Sequence, residues 1–187
     1  MAKTRGKAKS RAKNGSRKKM DAIAMLKADH RTVEELFEKY EKSRGKKADI
    51  ARQICLELMV HTLIEEELFY PACAEAGVEE DMIEEAFVEH DGAKVLIAEL
   101  REGSPDDDYY DAKVKVLSEE IKHHVKEEEQ RGGIFAQIRD SELDLEALAE
   151  QMQARKMEIM AQMEKKLPPP MTRTMKDTQI ERGQISL

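Results

Sequence analysis

The sequence predicts an all-α protein, an up-down-up-down bundle of four helices with an additional C-terminal helix. Three observations predict it. Aromatic residues fill 4% of 187 positions, tryptophan is absent, and the apolar supply is Leu, Ile, Val, Ala and eleven Met, a mixture that favours helices over sheets. Apolar residues recur at three- and four-residue spacing through long stretches parted by short Gly- or Pro-containing breaks. The first two stretches also match the second two, as expected of helical hairpins related by an internal repeat.

The first helix is expected to begin after Asp21 as N-cap, to carry Ile23, Leu26, Val33 and Phe37 on one face, and to stop near Gly45. The second runs from about Asp49 to Ala76 and is closed by Gly77; the third runs from about Glu79 to Arg101. Gly103-Ser104-Pro105-Asp106 is a turn. The fourth helix spans about Asp106 to Arg131, where Gly132-Gly133 breaks or bends it before the short apolar stretch Ile134–Ile138. A fifth, from Ser141 or Asp144 to Lys166, ends at Pro168-Pro169-Pro170, which cannot continue a helix.

Residues 1–20 hold nine Lys or Arg and no acid, so the net charge of −7 conceals a basic arm on a body with 23 basic and 39 acidic residues, a balance of −16. With almost nothing to bury, the arm cannot offset the entropy of ordering. The chain thus divides into a disordered basic arm 1–20, the bundle 21–140, a C-terminal helix 141–167 and a flexible tail 168–187. The arm suits weak, nonspecific contact with nucleic-acid phosphates, beside the plainer reading of a solvated tail. On the fifth helix Leu145, Leu148, Met152, Ile159 and Met163 form a stripe fit for core or for the seam of a homodimer. Neither a spanning apolar run nor a signal h-region is present, so a cytoplasmic protein without a membrane partner is expected. Cys55 and Cys73 lack CxxC or Cys–His pairing and are expected to be buried thiols.

The chemistry lies in polar residues that interrupt the stripes. The first stripe reads Ile23, Leu26, His30, Val33, Phe37; the second reads Ile54, Leu58, His61, Glu65, Leu68. The third reads Ile83, Phe87, His90, Ile97, and the fourth Val114, Leu117, Ile121, His124, Glu128. A lone His is followed after 31 residues by a His-x-x-x-Glu pair in the first hairpin and after 34 in the second. His and Glu four apart share one helical face. Taken singly, an inward His is more often a core histidine bonded to a carbonyl, and Glu65 or Glu128 could face solvent beside Glu66, Glu67, Glu127 and Glu129. Six such residues on four seams need a common partner, because burying an ionised group unpaired costs several kcal/mol.

Cations meet that need, and mixed imidazole and carboxylate donors suit iron, manganese or zinc. Bundle cores are where facing helices build di-iron sites. The candidate metal-binding residues are therefore His30, His61, Glu65, His90, His124 and Glu128. His123 points about 100° away from His124 and reads as exposed or as an imidazole supporting the ligands from outside, with Glu127 matching its spacing only through the acidic run. Without metal, Glu65 and Glu128 facing each other in a low-dielectric seam are expected to have raised pKa values. No nucleophile triad, phosphate loop or cofactor fingerprint points to another enzyme class.

These residues resemble the hemerythrin-like HHE cation-binding domains, whose signature is the same His, His-x-x-x-Glu repeat. The resemblance covers roughly residues 21–140 and rests on HTLIEEELFYP from His61 and KHHVKEEE from Lys122. It implies that His30, His61, His90 and His124 are terminal ligands of two non-haem iron ions bridged by Glu65 and Glu128, with an oxo, hydroxo or water bridge completing the diiron centre. Oxygen-carrying hemerythrins have a further His where this chain has Lys94 and an Asp five residues after the last ligand His, where here Glu128 comes at four. The histidine-poor site argues against reversible oxygen carriage. The resemblance implies binding or sensing of O2, NO or peroxide; an enzyme that disproportionates peroxide like a catalase or reduces NO is the alternative. A nucleic-acid-associated protein using the basic arm is a second one.

Overall fold

The computed structural model describes residues 20–163 and 171–175. Helix α1 (Ala22–Lys42) begins as expected: Asp21 is extended, and its Oδ1 accepts a hydrogen bond from the Ala24 amide at 2.7 Å. The expected second helix is three joined pieces, α2 (Lys47–Ile64), a π-helical turn (Glu65–Phe69) and α3 (Tyr70–Glu75). Gly77, at φ +84°, closes it with its amide on the Ala74 carbonyl and that of Val78 on the Cys73 carbonyl. Helix α4 (Glu80–Glu102) follows, then α5 (Tyr110–Glu129), the short α6 (Ile134–Arg139) and α7 (Leu145–Met163).

Helices α1 and α2 form one hairpin, α4 and α5 the other; α2 also packs on α4 and α1 on α5, closing an up-down-up-down bundle. Its core runs through Ile23, Leu26, Phe37, Ile54, Leu58, Ile97, Leu117 and Ile121. Among the described residues the fold is all-helical, and none of its helices is long and apolar enough to cross a membrane. Cys55 and Cys73 are buried free thiols, and burial pushes the Cys55 thiol up to about 11, where it stays protonated.

Several boundaries differ from the expectation. The fourth helix starts at Tyr110 rather than Asp106, because Asp107 closes a turn with Ser104: the Asp107 amide donates to the Ser104 carbonyl at 2.9 Å, and the Ser104 amide to Asp107 Oδ2 at 2.7 Å. Leu68 and Phe87, placed in the seams by periodicity, are half-buried, and Phe69 and Tyr70 are buried instead. The apolar stripe of α7 lies against α1 and α2 of its own chain, with Leu148, Met152, Ile159 and Met163 buried there.

Residues 171–175, expected within a flexible tail, are held instead on α4: the amides of Arg173 and Thr174 and the Thr174 hydroxyl all donate to Asp91 Oδ2, at 2.8, 2.5 and 2.7 Å. The basic arm before Met20, the end of the fifth helix and the rest of the tail lie outside the described residues.

Candidate metal centre

Each of the four bundle helices brings one histidine to the same level of the core. His30 on α1 and His61 on α2 face each other with Nε2 atoms 3.2 Å apart, and His90 on α4 and His124 on α5 do the same at 3.2 Å. Two ring nitrogens at this distance cannot both offer lone pairs without a positive charge, proton or metal, between them. Glu65 reaches both pairs, its Oε2 standing 3.0 Å from His61 Nε2 and 3.4 Å from His90 Nε2. Glu128 mirrors it, with Oε2 at 3.4 Å from His30 Nε2 and 3.6 Å from His124 Nε2. The structure thus brings together all six residues singled out in the sequence.

The other ring nitrogen explains why each Nε2 points inward. His30 Nδ1–H donates to Glu129 at 2.8 Å, His90 Nδ1–H to Glu66 at 3.1 Å and His124 Nδ1–H to Glu89 at 2.7 Å. Asp29 stands 3.9 Å from His61 Nδ1, just beyond hydrogen-bond reach. A carboxylate at Nδ1 fixes the tautomer whose Nε2 lone pair is free for a metal. Three of these carboxylates have a cation of their own, Lys27 and Arg31 on Glu129, Lys94 on Glu66 and Lys156 on Asp29, while Glu89 has the His123 imidazole beside it.

A seventh polar residue, Tyr70, enters the centre. Its buried hydroxyl donates to Glu128 Oε1 at 3.0 Å and lies 3.3 Å from His90 Nε2 and 3.5 Å from Glu65 Oε2. The π turn puts it there. Pro71 has no N–H, and its ring crowds the carbonyl four residues back, so the chain widens and the Tyr70 amide bonds to the Glu65 carbonyl five residues back. The second repeat instead stops at Glu129. Gly132, at φ +88°, turns the chain, and a Cβ on Gly133 would collide with the Glu127 and Glu128 carbonyls. The turn carries Phe135 onto His30, the two rings parallel with centroids 5.7 Å apart.

Without metal, protons on His61 and His124 offset the buried carboxylates of the centre. Burial disfavours a charged His61, but the adjacent Glu65 carboxylate outweighs it and raises the imidazole to about 10. His124 is raised in the same way against its burial by Glu128. The expectation of a raised Glu65 is therefore corrected: burial does oppose its charge, but His61 and His90 hold it well below the usual carboxylate range. Tyr70 is pushed well above its ordinary value by burial and by the Glu128 and Glu65 charges.

The residues fit a metal cluster. Glu65 Oε1 and Glu128 Oε2 are buried without hydrogen-bond partners, which an ion would supply. Two groups of well-placed ligand atoms share one carboxylate: His30, His61 and Glu65, and Glu65, His90 and His124. Lys94, at the position of the further histidine of oxygen carriers, keeps its ammonium on Glu66 at 2.6 Å and Asp91 at 3.2 Å and away from the centre.

No curated protein matches the chain in sequence. The fold is similar to that of a hemerythrin HHE cation-binding domain-containing protein from Mycobacterium kansasii, with TM-score 0.66 and 23% identity over 79% of this chain and 91% of that one. The profile of the hemerythrin HHE cation-binding domain matches residues 21–131. With this match over more than half its length, and with both His and His-x-x-x-Glu sets converging in one bundle, the chain belongs to the hemerythrin HHE cation-binding family.

Proposed function

We propose that this chain is a non-haem di-iron protein that binds or senses O2, NO or peroxide at a carboxylate-bridged pair of ions. The observation that carries this reading is the sharing of Glu65 between the two histidine pairs, mirrored by Glu128. One ion per pair, with two carboxylates between them, uses every inward donor; a single ion would leave half of them buried without a partner. Mixed imidazole and carboxylate donors suit iron, and manganese or zinc accepts the same set. The iron pair, when bound, supplies open coordination positions and a redox couple.

The chain's own residues decide what reaches those positions. The four imidazoles, with Val33, Leu58, Ile121 and Val125, enclose a cavity of about 10 Å³, room for one molecule of about the size of water. Such a space suits a diatomic or similarly small ligand better than a larger substrate. Tyr70 keeps its proton and offers a hydrogen bond beside Glu128, which favours holding a ligand over acid–base turnover. The test is to load the full chain with Fe2+ under anaerobic conditions and then add O2, NO or peroxide. New charge-transfer absorption that saturates at one ligand per two irons is expected. An unchanged spectrum with all three, in protein shown to hold iron, would refute ligand binding, and sustained peroxide or NO consumption would favour the enzyme.

A further inference from the structure

Four carboxylates stand at the outer ring nitrogens of the histidines, three within hydrogen-bond reach and Asp29 just beyond it, and three of the four are neutralised by a Lys or Arg. Glu129 has Lys27 and Arg31, Asp29 has Lys156, and Glu66 has Lys94. At Glu89 that place is taken by the His123 imidazole, a side chain able to ligate a metal. Glu89 Oε2 accepts from His124 Nδ1–H at 2.7 Å, while Oε1 faces outward, 3.6 Å from His123 Nε2. The same Nε2 lies 3.2 Å from Glu127 Oε1, one turn along α5. One donor atom each from Glu89, His123 and Glu127 falls within 4.8 Å of the others, and His123 is 60% exposed. A cleft of about 80 Å³ opens beside them, with Glu85, Glu89 and Glu127 in its walls together with the buried His124 and Glu128. Glu128, one of the lining residues, has its Oε2 buried without a hydrogen-bond partner.

We propose that Glu89, His123 and Glu127 form a surface site for a divalent first-row transition cation, which captures the ion and hands it through the cleft to His124 and Glu128. Capture stands on the surface geometry alone; delivery rests on the proposed function above. One imidazole and two carboxylates are borderline donors suited to such a cation. Three protein ligands leave the remaining positions to water, so the ion is held loosely enough to move on. Glu89 belongs to both places through its two oxygens. An ion on Oε1 also supplies the positive charge that the other three carboxylates receive from Lys or Arg.

The test uses the full chain with its centre already filled, soaked with Mn2+ as crystals, and the double variant H123A/E127Q, which leaves Glu89 in place. An anomalous peak between Glu89, His123 and Glu127 is expected in the wild type and none in the variant. In solution the variant should unfold at the wild-type temperature and reach the same final iron content. At limiting Fe2+ it should fill about tenfold more slowly, the scale on which loss of metal-supporting residues acts. Equal filling rates and no peak would overturn the proposal; so would a lower final iron content, which would make the two residues part of the centre itself. If iron loading leaves the centre empty while the surface peak is present in the wild type, capture would be supported, delivery overturned and the di-iron reading contradicted.

Discussion

Lys94 and Tyr70 border the centre from opposite needs, one holding charge away from it and one lending it a proton. Lys94 is 2% exposed and is the cation of both Glu66 and Asp91. Replacing it with Met leaves buried carboxylates uncompensated, a change that costs on the order of 3–5 kcal/mol. A clear fall in the thermal midpoint is expected, and an unchanged midpoint would mean that the contacts from Arg173 and Thr174 already satisfy Asp91. Tyr70→Phe should keep the metal but weaken a bound small ligand about tenfold or more, as loss of a hydrogen bond to a charged group does. Titration of the loaded variant with NO checks it; equal affinity would place Tyr70 outside the ligand's reach. The six inward residues were legible in the sequence because each breaks an apolar stripe. Tyr70 was not, since five residues past Glu65 is the wrong face of an α-helix and only the π turn makes it the right one. Glu66 and Glu129 were hidden for another reason: within acidic runs, nothing in the composition separates a carboxylate that holds a histidine from a solvated one.

The elements differ in how they deliver their residues. Four amphipathic helices, their caps and the hairpin repeat followed from periodicity, whereas boundaries moved wherever a side chain competed for the backbone, as Asp107 does at Ser104. The Gly132-Gly133 pair, expected to break or bend the helix, also seats Phe135 on His30. Gly133→Ala forces a Cβ against the Glu127 and Glu128 carbonyls, so it should shift the backbone of a ligand candidate. The expected outcome is a loss of about 1–3 kcal/mol, typical of overpacking, together with reduced metal retention. Retention of full metal with only the stability loss would show that Glu128 is held independently of this turn. Helix α7 ties α1 and the π turn together through Lys156 on Asp29 at 2.6 Å and Arg155 on Glu67 at 2.6 Å. Its place against its own chain could not be read from the stripe, which has the same spacing in a core and in a dimer seam.

At the scale of the molecule, metal and protons compete for one cavity. His61 has a folded pKa of about 10 against an ordinary 6.5, so its contribution to the metal-free fold is full below about 6.5 and is lost as pH rises toward 10. Glu65 has a depressed folded pKa, so its contribution is present above about 4.5 and is lost as pH falls below that. The metal-free bundle should therefore be most stable between these two values and weaken through the alkaline range. A metal bound at the proposed centre would replace the His61 proton and bind more tightly as pH rises. Thermal midpoints of loaded and metal-free protein at about pH 6 and pH 9 should differ more at the higher pH; a gap that narrows would mean that His61 is not the proton the metal displaces.

The proposed pair of iron ions would be held together by Glu65 and Glu128. The most direct measurement is the Mössbauer spectrum of the full chain after anaerobic loading with 57Fe, removal of loosely held iron and oxidation, taken with the iron content per chain. Two irons per chain in one exchange-coupled pair without net spin are expected. One iron per chain, or two that are magnetically isolated, would contradict it.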